Sequence, residues 1–417
     1  MSVSFRSCAL LLAVATAAST ADPEAEELLK QARVKVVDNA RRMPRYTCVE
    51  TVSRTQYQPP DSPSTCQTLV AMRRLMPTRG ALMLRDRLRL DVAVVDGGEM
   101  FSWAGAGKFE THEVDKLVGG GASGSGEFGS FLASVFGNAP DPIRYAGLSN
   151  SLALFEYNVP VARSNYRFQT KGVPKTIGYR GTFSVDPADG DVEQLVVESD
   201  QFASADNVCL IRHQMDYSRV KIGKGDFLLP EVSTMDALYH NGAESLNETR
   251  YSDCREYVGE STIRFDDPDA APGAAASRAA LQPLPPKVRL LIGLNKPINT
   301  EVAAAGDAVD GVLLRDVAGN PAKANDRVHG RILRLQQEML PSPRWIVAIR
   351  FDTIERKGIE QTIALKPVDD GERSAQRVRG KAQPQAVERP EGAGVFIFAE
   401  HGNMVLDQNF HSEWETR

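Results

Sequence analysis

The 417-residue chain lacks most of the local signatures of a catalytic or metal site. It has no C-x-x-C pair. Its six histidines, His112, His213, His240, His329, His401 and His411, never fall at H-x-x-x-H spacing, so a local zinc site has no support. A site assembled from distant strands stays open. No metal and no cofactor are expected. A G-x-S-x-G elbow is absent too, because Gly121-Ala122-Ser123-Gly124-Ser125 fails at its last position. Charge of one sign is not in excess: 49 Lys+Arg against 54 Asp+Glu leaves −5 at pH 7, which gives no electrostatic case for nucleic acid. With 33 glycines and 24 prolines the chain is far from collagen-like, and no internal repeat is evident. After residue 21 no run approaches about 18 apolar residues, so no later membrane span is expected.

What is present suggests an exported, globular protein. A composition of 42% hydrophobic and 25% charged residues excludes a wholly disordered chain, and the length allows two or three domains. Residues 1–21 read as a cleavable signal peptide, with Arg6, an apolar stretch from Ala9 to Ala18, and Ser19-Thr20-Ala21 before Asp22. Cys8 precedes the apolar stretch, so it is not a lipidated cysteine. The expected location is extracytoplasmic, the periplasm of a Gram-negative bacterium or otherwise the secreted medium. Cys48, Cys66, Cys209 and Cys254 then suggest disulfides, with three connectivities available. Cys48 and Cys66 flank a Pro-rich loop at 58–63 and form the easiest pair. That leaves Cys209 with Cys254. The runs 207–222, 226–240 and 243–258 read as a meander, which would put those two about eleven residues apart along a strand, beyond bonding reach at ~3.3 Å per residue. Either the meander or the second pairing is wrong.

The mature chain opens with an amphipathic helix: Ala25, Leu28, Leu29, Ala32, Val36, Ala40 and Met43 recur at three- and four-residue steps, and Pro44 stops it. From Tyr46 to about Phe265 two-residue alternation dominates. Strand candidates are 46–52, 66–76, 81–95, 99–103, 177–185, 192–199 and the meander. Leu82, Leu84, Leu88 and Leu90 share one face of 81–95, and Arg85, Arg87 and Arg89 the other. Residues 119–129 are rich in Gly and Ser and read as a mobile loop. They lead into Phe128, Phe131, Leu132, Val135 and Phe136, spaced as one face of a short helix closed by Gly137. A Pro/Ala linker is expected over 266–286. A second all-β unit is expected over 287–417, with strands at 287–294, 309–317, 327–337, 344–354, 359–366, 394–400 and 403–410 and a flexible insertion at 370–390. The expected class is mainly β (α+β): a curved antiparallel sheet or incomplete barrel packed on helices, then a smaller β-barrel-like or sandwich domain.

Each chemical motif has a plainer counterpart. Gly124-Ser125-Gly126-Glu127-Phe128-Gly129 matches G-x-G-x-x-G, but no βαβ unit surrounds it, and a loop is the simpler reading. Asp186-Pro187-Ala188-Asp189-Gly190-Asp191 lacks EF-hand spacing and reads as a tight turn. Asp266-Asp267-Pro268-Asp269 reads as solvated linker. Carboxylate pairs for glycoside hydrolysis cannot be picked out by spacing. The Arg85, Arg87 and Arg89 row could hold an anion or an acidic partner, or be the solvent face of a sheet. Phe128, Phe131, Leu132, Val135 and Phe136, with Trp103, could line an apolar cavity beside a glycine hinge, or be core.

In the order of its elements the stretch 22–265 resembles the LolA-type superfamily of periplasmic lipoprotein carriers and related envelope-stress sensor domains. The resemblance rests on the leading helix ending at Pro44-Arg45-Tyr46, Arg87-Leu88-Arg89-Leu90-Asp91-Val92, and Asp96-Gly97-Gly98-Glu99-Met100-Phe101-Ser102-Trp103 followed by a helical insertion. The 181–194 hairpin and Leu228-Leu229-Pro230 continue it. It implies an incomplete barrel wrapped round helices, an apolar cavity for acyl chains, and no catalytic residues. Residues 287–417 slightly resemble small β-barrel modules of envelope-secretion proteins, through Leu294-Asn295-Lys296-Pro297-Ile298 and Ala305-Gly306-Asp307. The leading expectation is a non-enzymatic envelope protein that binds a lipid or lipoprotein-like ligand. Its rivals are a structural or sensor module that binds an envelope protein partner, and an exported hydrolase with a dispersed site.

Overall fold

The structure, a computed structural model, describes residues 22–62, 64–95, 98–106, 108–109, 115–118, 130–138, 143–169, 174–257, 283–317, 319–320, 322–368 and 389–417. The expected signal peptide, the Gly-rich stretch 119–129 with Phe128, most of the 266–286 linker and most of the 370–390 insertion lie outside the described residues.

The first elements are α1 (Pro23–Arg42), β1 (Tyr46–Tyr57), α2 (Cys66–Leu75), β2 (Leu82–Val95), β3 (Gly98–Trp103), α3 (Asp115–Val118), α4 (Ser130–Asn138), β4 (Arg144–Ser149), β5 (Leu152–Val159), β6 (Arg167–Phe168), β7 (Lys175–Thr176), β8 (Tyr179–Val185), β9 (Val192–Ser199), β10 (Val208–Ile222), β11 (Gly225–Tyr239) and β12 (Glu244–Glu256). The second group is β13 (Arg289–Leu294), β14 (Ile298–Asn299), β15 (Ala308–Leu313), β16 (Arg327–Glu338), β17 (Arg344–Arg356), β18 (Ile359–Thr362), β19 (Leu365–Pro367), β20 (Gly394–Phe398), β21 (Val405–Leu406) and β22 (His411–Thr416). The chain is mainly β with a few helices.

Local chemistry accounts for α1. The Asp22 carboxylate accepts from the Glu24 and Ala25 amides, Pro23 fits the first turn, and Glu24 and Glu26 there oppose Arg41 and Arg42 in the last. Its buried side, Ala25, Ala32, Val36 and Asn39, lies on the sheet. Asn39 fastens it, donating to the Leu228 carbonyl at 3.1 Å and accepting from the Leu228 amide at 2.9 Å. The sheet is antiparallel, in the order β4–β5–β8–β9–β10–β11–β12–β1–β2–β3. Among the described residues β3 and β4 do not pair with each other, so the sheet stays open.

The other edge of β2 is covered in turn by three segments. Leu90 to Val95 pair with β3, Leu88 bridges Ala305, and Leu84 to Asp86 pair with Glu338 to Gln336 of β16. The sheet therefore continues into the second group, where β13, β15, β16, β17, β19 and β22 send residues into one core around Leu290, Val328, Val347, Phe351 and Trp414. Ala305 itself belongs to the core of β1, β2 and β3.

Several expectations are corrected. Residues 66–76 are not a strand but helix α2: Thr65 caps it by accepting from the Thr68 amide, and Cys66, Leu69 and Val70 stand at helical spacing toward Cys209, Leu210 and Leu238. Residues 403–410 do not form one strand, because Asp407 turns the chain by accepting from the Asn409 amide, and β22 begins only at His411. Strands β4 and β5 were not anticipated.

Both expected disulfides are also replaced. Cys48 bonds to Cys254, and Cys66 to Cys209, with Cα separations of 4.1 and 5.1 Å. A bulge at Thr47/Val49 in the β1–β12 register brings Cys48 opposite Cys254. Helix α2 folds back over β10 and carries Cys66 to Cys209. The meander itself is real: Leu210 faces Leu238 and Leu238 faces Glu244, which leaves Cys209 of β10 level with the start of β12 and Cys254 near the far end of β12.

Candidate functional site

Alternation along four strands builds an apolar floor. Ala153, Phe155, Tyr157 and Val159 of β5, Tyr179 and Phe183 of β8, Leu195 and Val197 of β9, and Met215 and Tyr217 of β10 all face one side. Helices α1 and α4 lie on this side, α2 on the opposite one.

Helix α4 contributes Phe131, Leu132, Val135 and Phe136, all at most 5% exposed, while Ala133 and Gly137 point outward. Phe136 meets Phe183 at 4.9 Å between ring centroids, and Phe183 stacks on Phe155 at 5.1 Å. Phe131 stands edge-on to Tyr166 at 5.3 Å and to Tyr179 at 6.1 Å, with the His213 ring at 5.4 Å. One end of this seat is polar. The Tyr166 hydroxyl and His213 Nε2 are 2.8 Å apart, and the Tyr179 hydroxyl is buried beside them without a hydrogen-bond partner among the described residues. The Tyr157 hydroxyl donates to the Val196 carbonyl at 2.7 Å. Burial pushes the Tyr157 phenol well above its ordinary value, with smaller contributions from Tyr179 and Tyr217. The Tyr179 phenol is raised by burial and partly brought back by Ser134. The phenols Tyr157 and Tyr179 thus stay neutral donors at physiological pH.

Of the residues singled out by sequence, Phe131, Leu132, Val135 and Phe136 come together here. Phe128 lies outside the described residues. Trp103 sits elsewhere, in the cluster of Leu90, Phe101 and Ala305. Arg85 of the arginine row stays exposed and Arg87 and Arg89 are half-buried, and all three are engaged within the chain. Arg85 Nε donates to Gln337 Oε1 at 2.6 Å, Arg87 to the Glu301 carbonyl at 2.5 Å, and Arg89 to the Asp307 carboxylate and the Val302 carbonyl. Burial, then the neighbouring Arg89 and Arg85, hold the Arg87 guanidinium below its usual value. The partner of this row is the chain's own second group of strands.

Sequence reasoning missed Tyr166, Tyr179 and His213. The alternation of 208–222 carried a signal for one of them, since it sets His213 on the face of Met215 and Tyr217. Among the described residues one group of metal-ligand types converges: Cys66 Sγ, Cys209 Sγ and a His240 ring nitrogen lie within 4.8 Å of one another. The two sulfurs are bonded to each other and so are not thiolate ligands.

Two disulfides suit an oxidising, extracytoplasmic setting, and no described helix is long and apolar enough to cross a membrane. No protein-family model matches the chain, and no curated protein matches it. Among solved structures, a LolA superfamily protein from Nitrosomonas europaea is similar over 57% of this chain and 94% of its own, at 11% identity and a TM-score of 0.25.

Proposed function

We propose that the chain is a non-enzymatic protein of the bacterial periplasm that binds an apolar chain, such as an acyl group, between α4 and the floor formed by β5, β8, β9 and β10. One observation carries this reading. A nine-residue helix presents four large apolar side chains to a broad aromatic and aliphatic surface. A helix of that length is not stable alone, so packing holds it in place. Six glycines between 119 and 129 precede it in sequence. An apolar chain that parts α4 from the floor makes the same kind of apolar contacts with both. The Tyr166–His213 pair and the buried Tyr179 hydroxyl offer hydrogen bonds to a polar head group at one end.

Titration with a fluorescent fatty acid tests the proposal. The expected result is saturable one-site binding that is lost in Phe131→Asp. No saturable binding to the folded wild-type chain would refute it.

A further inference from the structure

The two disulfides occupy different surroundings. Cys48–Cys254 crosses adjacent strands, with Cys48 buried beside Tyr46, Val52 and Val92 and Cys254 half-buried, as Cys66 is. What sets the other bond apart is the cavity and histidine beside it. Cys66–Cys209 instead ties the first residue of α2 to the start of β10. Cys209 is 3% exposed and Cys66 is half-buried. A half-open cavity of about 340 Å³ lies against this bond, lined also by Ser64, Thr65, Asp200 and His240. A His240 ring nitrogen is within 4.8 Å of both sulfurs.

We propose that Cys66–Cys209 is an exchangeable disulfide that oxidises an external dithiol, with His240 as its proton donor, while Cys48–Cys254 is a structural bond. A thiolate of the dithiol enters the cavity and attacks Cys66 Sγ, the more exposed sulfur. The Cys66–Cys209 bond breaks, and Cys209 leaves as a thiolate that takes a proton from His240. The second thiol of the dithiol gives its proton to the now neutral His240, attacks its own sulfur in the mixed disulfide and releases Cys66 as a thiolate, which takes a proton from water. The external dithiol ends as a disulfide, Cys66 and Cys209 end as thiols, and two electrons and two protons have moved to the protein.

The surroundings favour each step. Cys66 stands at the N-terminus of a ten-residue helix with no acidic residue in its first turn and with Arg73 and Arg74 in its last. The amide ends of that helix stabilise the Cys66 thiolate as it leaves. The Asp200 carboxylate is engaged by Arg180 at 2.5 Å and by Arg74 at 3.6 Å, so its charge is offset. Opening the bond does not release α2. Arg73 pairs with Asp236 at 2.9 Å and with Glu244 at 3.3 Å, and Leu69 and Val70 stay packed on Leu210 and Leu238.

The test is bond-by-bond reduction of the folded chain with dithiothreitol, followed by alkylation and peptide mapping. Cys66–Cys209 should open about a hundredfold faster than Cys48–Cys254 while the far-ultraviolet spectrum is unchanged. His240→Ala should slow that opening about a hundredfold, the low side of general acid catalysis, with the unfolding rate unaltered. Glutathione should form its adduct on Cys66 and not on Cys209. Equal opening rates for the two bonds, opening only on unfolding, an adduct on Cys209, or a His240→Ala rate equal to wild type would overturn the proposal.

Discussion

Phe131→Ala probes how α4 is held. The side chain is 5% exposed, with its ring lodged among Tyr166, Tyr179 and His213. Removing it forfeits the transfer term of a buried phenyl group and leaves a gap that those rings fill only in part. Together these cost about 3–5 kcal/mol. The loss falls first on the docking of α4, because a nine-residue helix has no stability of its own to absorb it. Taking 1.4 kcal/mol per tenfold, a loss near 3 kcal/mol raises the undocked population roughly a hundredfold. Hydrogen exchange read by mass spectrometry should therefore show the amides of 131–137 exchanging about a hundred times faster, while those of β9 and β10 change little. Equal acceleration throughout β8, β9 and β10 would mean that α4 is an inseparable part of the core. No acceleration in α4 would mean that Phe131 does not hold it. Either result refutes the reasoning.

Three further outcomes test how the floor and its fastenings are built. In Gly181→Ala the added Cβ would stand 1.8 Å from the Val196 carbonyl oxygen and 2.9 Å from the Tyr157 hydroxyl. That should cost about 2–4 kcal/mol in urea unfolding, and an unchanged midpoint would contradict the close strand approach. Asn39→Ala leaves both backbone groups of Leu228 without their α1 partner and should cost about 2–4 kcal/mol, with Asn39→Asp falling between it and wild type in the same assay. At Asp191 burial pushes the carboxyl up, but Arg219 at 2.6 Å and Lys35 at 2.9 Å more than reverse it, so its pKa is held below the usual carboxylate range. A folded value below the unfolded one gives stabilisation that is complete above the unfolded pKa of about 3.9 and fades as pH falls through the depressed value. Asp191→Asn should lose that part of the acid-induced destabilisation; identical acid limbs for variant and wild type would count against the ion-pair cluster.

Local signals made some of this architecture legible. Asp22, the heptad-like apolar steps and Pro44 mark α1, and strict alternation with Asn241-Gly242 marks β10, β11 and β12. The disulfides were not legible. The Cys48 partner depends on a one-residue bulge, and the Cys66 partner on a helix that doubles back over the sheet. For α2 the apolar positions 66, 69 and 70 were at helical spacing, a cue overridden by the strand-like neighbours. The arginine row looks like any solvent face because its partner Asp307 is 218 residues away from Arg89. The apolar face of α4 could be read, since Phe131, Leu132, Val135 and Phe136 repeat at helical spacing. Its floor could not, because Tyr166, Tyr179 and His213 come from separate segments that only the sheet brings together.

The central claim is that an apolar chain lodges between α4 and the sheet, and a diazirine-tagged fatty acid tests it most directly. Photo-crosslinking followed by peptide mapping should place adducts on α4 and on the facing residues of β8 and β10. Adducts confined to Met72, Leu75 and Met76, the exposed apolar residues of α2 and its C-terminal end at 46%, 81% and 57% exposure, would contradict the account.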